Sequence, residues 1–248
     1  MYQIPELKDN QDIFHAFSVV ADGNMSFLWG EKEEVLENRK KFFNNLGIQL
    51  DACVSMKVLD EDNITIVDGS YKRKGMSEID DAVKTDGLIT QEKGLYLFLL
   101  IADCLPVIVF DPVKKVLGLL HCSWKSTEAK LASKIIDRII NEFHCDPANI
   151  VVGIGPSVKQ ESFCFVDPIQ KKLDGWQDFL KDIPDGQTCI DLMGYNQYQL
   201  EKQGVLRKNI HISPINTATD QEFFSHYRDS RGGDIKEGRF ACLVSLKL

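Results

Sequence analysis

The sequence predicts a mixed fold of α-helices and β-strands, and three features carry that expectation. Apolar residues recur at helical spacing near residue 40, two apolar runs flank an Asp-Pro turn near residue 112, and strand-like and helix-like segments alternate beyond it. In the first helix Val35, Leu36, Phe42, Phe43 and Leu46 share one face while Glu33, Glu37, Lys40 and Lys41 fill the other, over residues 32–46. Asn38 and Arg39 lie on it. Strands are expected at the β-branched stretch 64–67 and the apolar stretch 96–101, with residues 86–90 leading into the latter.

The Asp-Pro turn predicts a β-hairpin. Asp103, Cys104 and Pro106 precede the apolar run 107–110, Asp111-Pro112-Val113-Lys114 forms the turn, and 116–120 returns. If Phe110 pairs with Lys115, Cys104 falls opposite His121, and directly opposed residues hold their Cβ atoms about 4.5–5.5 Å apart. A thiolate and an imidazole at that spacing can react together or share a metal. A one-residue slip would send one of them to the other face. After His121, the residues Leu131, Ile135, Ile136, Ile139, Ile140 and Phe143 mark a helix face, with Ser126 read as its N-cap. Its first turn, with Lys125, would offer a phosphate or carboxylate free N–H groups and a cation. Further on, 150–154 reads as a strand, Gly153-Ile154-Gly155-Pro156 as a turn, and 195–203 as a helix.

Composition sets the class. The chain has 248 residues with 44% apolar and 27% charged residues, which fits one continuous domain over 1–248 and excludes a disordered or fibrous chain. With 29 Lys and Arg against 37 Asp and Glu, the net charge of −8 disfavours a nucleic-acid partner and favours a small molecule. The first dozen residues lack the basic head and apolar core of an export signal, so a cytoplasmic location is expected. The apolar run 95–110 is interrupted by Asp103 and Pro106, so no membrane span is expected. Seven scattered cysteines without a CxxC pair read as reduced thiols. Nothing in the pattern sets an oligomeric state.

The segments ADCLPVIVFDP (residues 102–112) and LLHCSWKST (119–127) resemble the laccase-domain proteins, also called multicopper polyphenol oxidase-like proteins or purine nucleoside phosphorylases. ENRKKFF (37–43), DGLIT (86–90), GIGPSV (153–158), IDL (190–192), QLEKQGV (199–205), FFSHYRDS (223–230) and GRFACLVSL (238–246) follow in the same order. The likeness runs from about residue 12 to the end.

That resemblance implies a layered α-β-β-α sandwich with mixed sheets, similar to the catalytic domain of cytotoxic necrotizing factor. It implies a metal, usually zinc, held by two histidines and a cysteine. The implied activity is phosphorolysis of adenosine, inosine and methylthioadenosine, with adenosine deamination and an older label of copper-dependent phenol oxidation. The partners would be a nucleoside and phosphate. By position Cys104 and His121 are the implied metal ligands and, with Asp103, the catalytic candidates, while Asn38, Arg39, Lys125, Arg228 and Arg239 are candidates for holding substrate or phosphate. The first histidine of the family pattern falls on Val58, which cannot bind a metal. Val20 stands at the family's arginine, Lys125 replaces another arginine, Cys164 occupies the place of a glutamate, and Asn216 that of a Cys-Thr pair. These departures fall on the chemistry, so the resemblance transfers fold more firmly than activity.

Two ligands hold zinc less tightly than three, and Asp60, Glu61, Asp62 and His226 are the candidate replacements. Copper fits less well, since only His15, His121, His144, His211 and His226 exist and none form an HxH pair. His15, His144 and His211 read as structural. Alternatives are a metal-free Cys-His hydrolase, a laccase-like oxidoreductase, and a pseudoenzyme that keeps only a binding cleft.

Overall fold

In a computed structural model that describes residues 1–232 and 236–248, the β-branched and aromatic runs assemble into three sheets. Sheet one has the order β1 (Ile13–Phe17), β14 (Phe240–Leu246), β6 (Tyr96–Ile101), β2 (Cys53–Lys57) and β4 (Val83–Lys84). Sheet two runs β13 (Ile210–Ile212), β9 (Val151–Ile154), β7 (Leu105–Asp111), β8 (Val116–Cys122), β5 (Gly87–Thr90) and β3 (Ile64–Ile66). Both mix parallel and antiparallel neighbours. A small antiparallel sheet joins β10 (Cys164–Val166), β12 (Gln187–Ile190) and β11 (Leu180–Asp182). The helices are α1 (Pro5–Lys8), α2 (Lys32–Asn45), α3 (Trp124–Glu128), α4 (Leu131–Phe143), α5 (Leu192–Lys202) and α6 (His226–Asp229).

Three apolar clusters separate four layers. α2 sets Phe42 and Phe43 on Ala16, Phe98 and Leu243 of sheet one. Between the sheets, Val54, Leu97, Leu99 and Val244 meet Leu88, Ile108, Phe110, Leu117 and Leu119. Behind sheet two, Val107, Val109 and Leu120 meet Leu131, Ile135 and Ile139 of α4 and Leu200 of α5. The order is therefore helix, sheet, sheet, helix. Because β7 and β8 are covered on both faces, their sequences are nearly unbroken apolar runs rather than alternating ones. Gly118 permits the close seat of α4, since a Cβ there would lie 2.6 Å from Ile135 Cδ1.

The structure corrects the hairpin register. Asp111 pairs with Val116 and Pro106 with His121, so the partners are displaced by two residues from the expected ones. The reason is the turn: Asp111 stays in the strand while its Oδ1 accepts the N–H groups of Val113 and Lys114, and Lys115 takes a left-handed conformation, φ 51°. A two-residue displacement preserves the face, so Cys104 and His121 still turn toward the inter-sheet layer.

Other local expectations change as well. Ser126 does not cap the long helix; Ser123 caps α3, with Ser126 completing the reciprocal bond, and α4 starts separately after a left-handed Lys130. Residues 86–90 and 96–101 do not form one ladder, because β5 belongs to sheet two and β6 to sheet one. Gly153 and Ile154 end β9 rather than open a turn, and Gly155 is small because a Cβ would meet the Phe17 ring at 2.4 Å. The expectation of reduced thiols throughout fails for Cys164 and Cys189, which face each other across β10 and β12 and form a disulfide. The other five cysteines are free. Among the described residues no helix is long and apolar enough to cross a membrane.

His15 supplies a pH test of this packing. Its Nε2 accepts the Ile4 N–H at 2.8 Å, and burial, helped by Lys247, pushes its pKa down to about 4. The unfolded imidazole protonates near pH 6.5, so this stabilising contribution is complete above that pH and is lost as pH falls toward the folded value. Denaturant unfolding at pH 7 and 4.5 should show about 2–3 kcal/mol less acid sensitivity in His15→Gln than in the unaltered chain.

Candidate active site

The site is built where β7 begins. Asp103 takes a left-handed conformation, φ 81°, that a non-glycine residue holds only when its surroundings fix it. Its carboxylate is buried; Oδ1 accepts from Thr217 Oγ1 and Oδ2 from the Tyr227 N–H, both at 2.6 Å. Its carbonyl accepts the Val158 N–H at 3.0 Å. Three separate chain segments thus converge on the residue before Cys104. Asp103 is consumed by this clamp.

Cys104 and His121 share one layer. Cys104 packs against the inter-sheet cluster, as does Val58, and His121 stands opposite Pro106 on the same face. Burial pushes the Cys104 thiol up to about 12; Asp60 and Asp103 add to this and Arg239 opposes it. Burial lowers the His121 pKa, while Asp60 and Asp86 pull the other way. Both groups therefore favour their neutral forms. The carboxylate of Asp86, itself buried, accepts the N–H groups of Leu59, Asp60 and Glu61 and so shapes the loop after Val58. That loop carries Asp60 Oδ1 to 3.7 Å from His121 Nδ1, which has no hydrogen-bond partner.

Of the other candidate replacement ligands, Glu61 Oε2 accepts from Asn63 Nδ2, Asp62 pairs with Lys134, and His226 Nδ1 pairs with Glu237. A catalytic zinc takes three protein ligands and an open position. Among the described residues no three His, Cys, Asp or Glu side chains converge as a metal group. The described residues therefore fit neither the implied zinc site nor a multinuclear copper centre.

The implied phosphate residues separate into two groups. Arg39 is fully buried in α2; its guanidinium donates to the carbonyls of Met25, Gly75 and Met76 and lies 4.2 Å from the Phe27 ring centroid. Asn38 donates to the Asn24 carbonyl. Arg228 donates to the carbonyls of Thr217, Asp220 and Phe223 and pairs with Asp229. These three hold loops together. Lys125 is exposed on α3, whose N-terminus is already capped by Ser123. Arg239 is the exception: it lies over the Trp29 ring, pairs with Glu237 at 3.7 Å, and acts on both Cys104 and His121.

A cavity of about 250 Å³ opens over Cys104, with walls that include Trp124, Phe163, Phe165, Tyr227 and Arg231. Phe163 and Phe165 meet edge to face at 4.8 Å, and Phe165 meets Tyr227 at 6.1 Å. The Arg231 guanidinium lies 3.6 Å from the Tyr227 ring centroid. Sequence reasoning missed these walls, although aromatic residues at 163 and 165 sit at the spacing that places both on one side of a strand. A more open groove of about 710 Å³, between α4, α5 and residues 174–179, contains none of the chemistry-bearing groups at Cys104.

The family described as multi-copper polyphenol oxidoreductase laccase matches residues 17–247. The chain belongs to that family. Within this laccase family, it is 26% identical over 220 residues to purine nucleoside phosphorylase YlmD of Bacillus subtilis (strain 168), covering 86% of this chain and 78% of that protein. It is 31% identical over 209 residues to purine nucleoside phosphorylase LACC1 of Homo sapiens, covering 80% of this chain and 45% of the human protein. The crystal structure of YlmD from Geobacillus stearothermophilus superposes with a TM-score of 0.89 at 25% identity, covering 96% and 93% of the two chains. That of the Bacillus licheniformis hypothetical protein YfiH gives 0.87 at 28%, covering 95% and 93%.

Two measurements check this geometry. Iodoacetamide labelling of Cys104, followed by mass spectrometry, should be slow at pH 8 and accelerate only as pH rises toward the thiol's pKa of about 12, because the thiolate is the reactive form. Arg39→Met should cost about 3 kcal/mol or more in denaturant unfolding, because it strands buried carbonyls that the guanidinium now satisfies.

Proposed function

We propose that this laccase-family chain binds a purine nucleoside and phosphate in the cleft over Cys104 and cleaves the bond between base and sugar. The observation that carries this reading is the aromatic-walled cavity directly over Cys104. Flat π faces recognise a flat base, and two relatives are named purine nucleoside phosphorylases. In the reaction a phosphate oxygen attacks C1′ of the sugar while the bond from C1′ to N9 breaks. The purine leaves with the bonding electrons and takes up a proton.

The residues divide the work. Trp124, Phe163, Phe165 and Tyr227 hold the base and exclude water, while Arg231 at the rim and Arg239 on the His121 side supply positive charge for phosphate. His121, neutral because it is buried, accepts a hydrogen bond from the sugar, with Asp60 favouring the orientation that points Nδ1 toward its carboxylate. Cys104 keeps its proton at neutral pH, so a thiolate hydrolase is the weaker reading. No step runs through a metal. A cytoplasmic setting belongs to this proposal.

A second reading, binding without turnover, draws on Val58 and on the structural use of Arg39 and Arg228. Purified protein incubated with adenosine and phosphate decides between them. Release of adenine and ribose 1-phosphate that survives EDTA is the expected result, with His121→Asn lowering kcat/KM by about 100-fold or more. Adenosine binding by calorimetry without product supports the second reading. Absence of both binding and product overturns the nucleoside assignment, and activity abolished by EDTA and restored by zinc overturns the metal-free one.

A further inference from the structure

The disulfide between Cys164 and Cys189 lies in the wall of the candidate cleft. β10, which holds Cys164, is a three-residue edge strand, flanked by Phe163 on one side and containing Phe165. Both rings line the cavity over Cys104. β12, which holds Cys189, runs through Ile190 to Asp191 and Leu192, and Leu192 lines the same cavity. The backbone ladder between the strands spans three residue pairs, supplemented by the Ile190 N–H donated to the Phe163 carbonyl. Such a short edge opens locally more readily than the central strands. The covalent link therefore supplies much of what keeps Phe163 and Phe165 in the wall.

The pair is also distinct within the molecule. Cys53, Cys122, Cys145 and Cys242 are buried thiols in the core, and Cys104 lies in the cleft. Cys164 and Cys189 are the pair that is joined covalently. Inside a reducing compartment a single disulfide of this kind is typically a transient sensing bond rather than a permanent staple. We propose that Cys164 and Cys189 form a redox switch on ligand binding. The oxidised form holds the aromatic wall closed, and the reduced form loosens it.

The chemistry is thiol-disulfide exchange with a dithiol. A thiolate of the reductant attacks one protein sulfur, forms a mixed disulfide and releases the other cysteine as a thiolate, which takes a proton. The second thiolate of the reductant then attacks the reductant sulfur in that mixed disulfide and expels the remaining cysteine as a thiolate, which takes a proton. This leaves two protein thiols and a reductant closed to its own disulfide. Two electrons have passed to the protein. A small disulfide such as oxidised glutathione drives the reverse.

The full chain is equilibrated in glutathione buffers of graded ratio and in dithiothreitol, and the disulfide is followed by intact mass. Acrylamide quenching of tryptophan fluorescence, with Trp124→Phe subtracting the signal of Trp29 and Trp176, reports the wall through Trp124, and adenosine affinity is measured in each state. The affinity readout rests on the nucleoside reading, whereas the quenching readout does not. If the wall is formed in about a tenth of reduced molecules, reduction weakens adenosine binding about tenfold. Reduction should also increase quenching, and Cys164→Ser with Cys189→Ser should match the reduced state in every buffer. Redox-dependent quenching without adenosine binding in either state sinks the nucleoside reading and leaves the switch standing. A bond that stays fully formed across the glutathione series, or one whose reduction leaves both quenching and affinity unchanged, overturns the switch. The wild-type comparison reads this even if the double variant does not fold.

Discussion

The candidate site depends on one buried carboxylate. Asp103 holds a left-handed backbone and spends both oxygens, on Thr217 and on the Tyr227 N–H, while its carbonyl takes the Val158 N–H. That clamp ties the Tyr227 backbone to the start of β7, opposite Phe165 in the wall of the cavity over Cys104. Hydrogen bonds to a buried charge are among the stronger ones a protein makes, and leaving the carboxylate unsatisfied would be costly. Arg228 completes the arrangement from the other side by fastening the carbonyls of residues 217, 220 and 223. The aspartate and arginine that sequence position marks for catalysis and phosphate are thus the fasteners of the site.

A second carboxylate sets what the site contains. Asp86 gathers the N–H groups of residues 59–61, and the loop so formed presents Asp60 to His121 from the segment whose Val58 replaces an expected histidine. Val58 offers no ligating atom there, and a carboxylate faces the imidazole instead. The backbone around it superposes on the Geobacillus stearothermophilus structure with a TM-score of 0.89. Fold and chemistry are separable here because the layers rest on apolar runs, whereas the chemistry rests on a few polar positions.

That division also explains what the sequence revealed. The helical stripe of Phe42 and Phe43 and the unbroken runs of β7 and β8 are dictated by burial, so their positions could be read directly. Register was harder, because it depended on whether Asp111 closed the strand or entered the turn. The face shared by Cys104 and His121 was legible because an error of two residues leaves alternation intact. The use the fold makes of Arg39 was not legible for a different reason: only tertiary packing brings three backbone carbonyls to an arginine on a helix. The walls from Phe163, Phe165 and Tyr227 required chain segments more than 60 residues apart to meet, which local pattern does not encode.

The place of β14 in sheet one has a consequence for how the molecule comes into being. It sits between β1 and β6, pairing Ile13 with Leu246 on one side and Phe240 with Ile101 on the other, yet it comes last of all these strands in the chain. During synthesis the two flanking strands emerge long before the piece that must lie between them, so each waits with an unpaired edge. Closure of the sheet is a late, long-range event, and the nascent chain is most vulnerable to wrong partners during that wait.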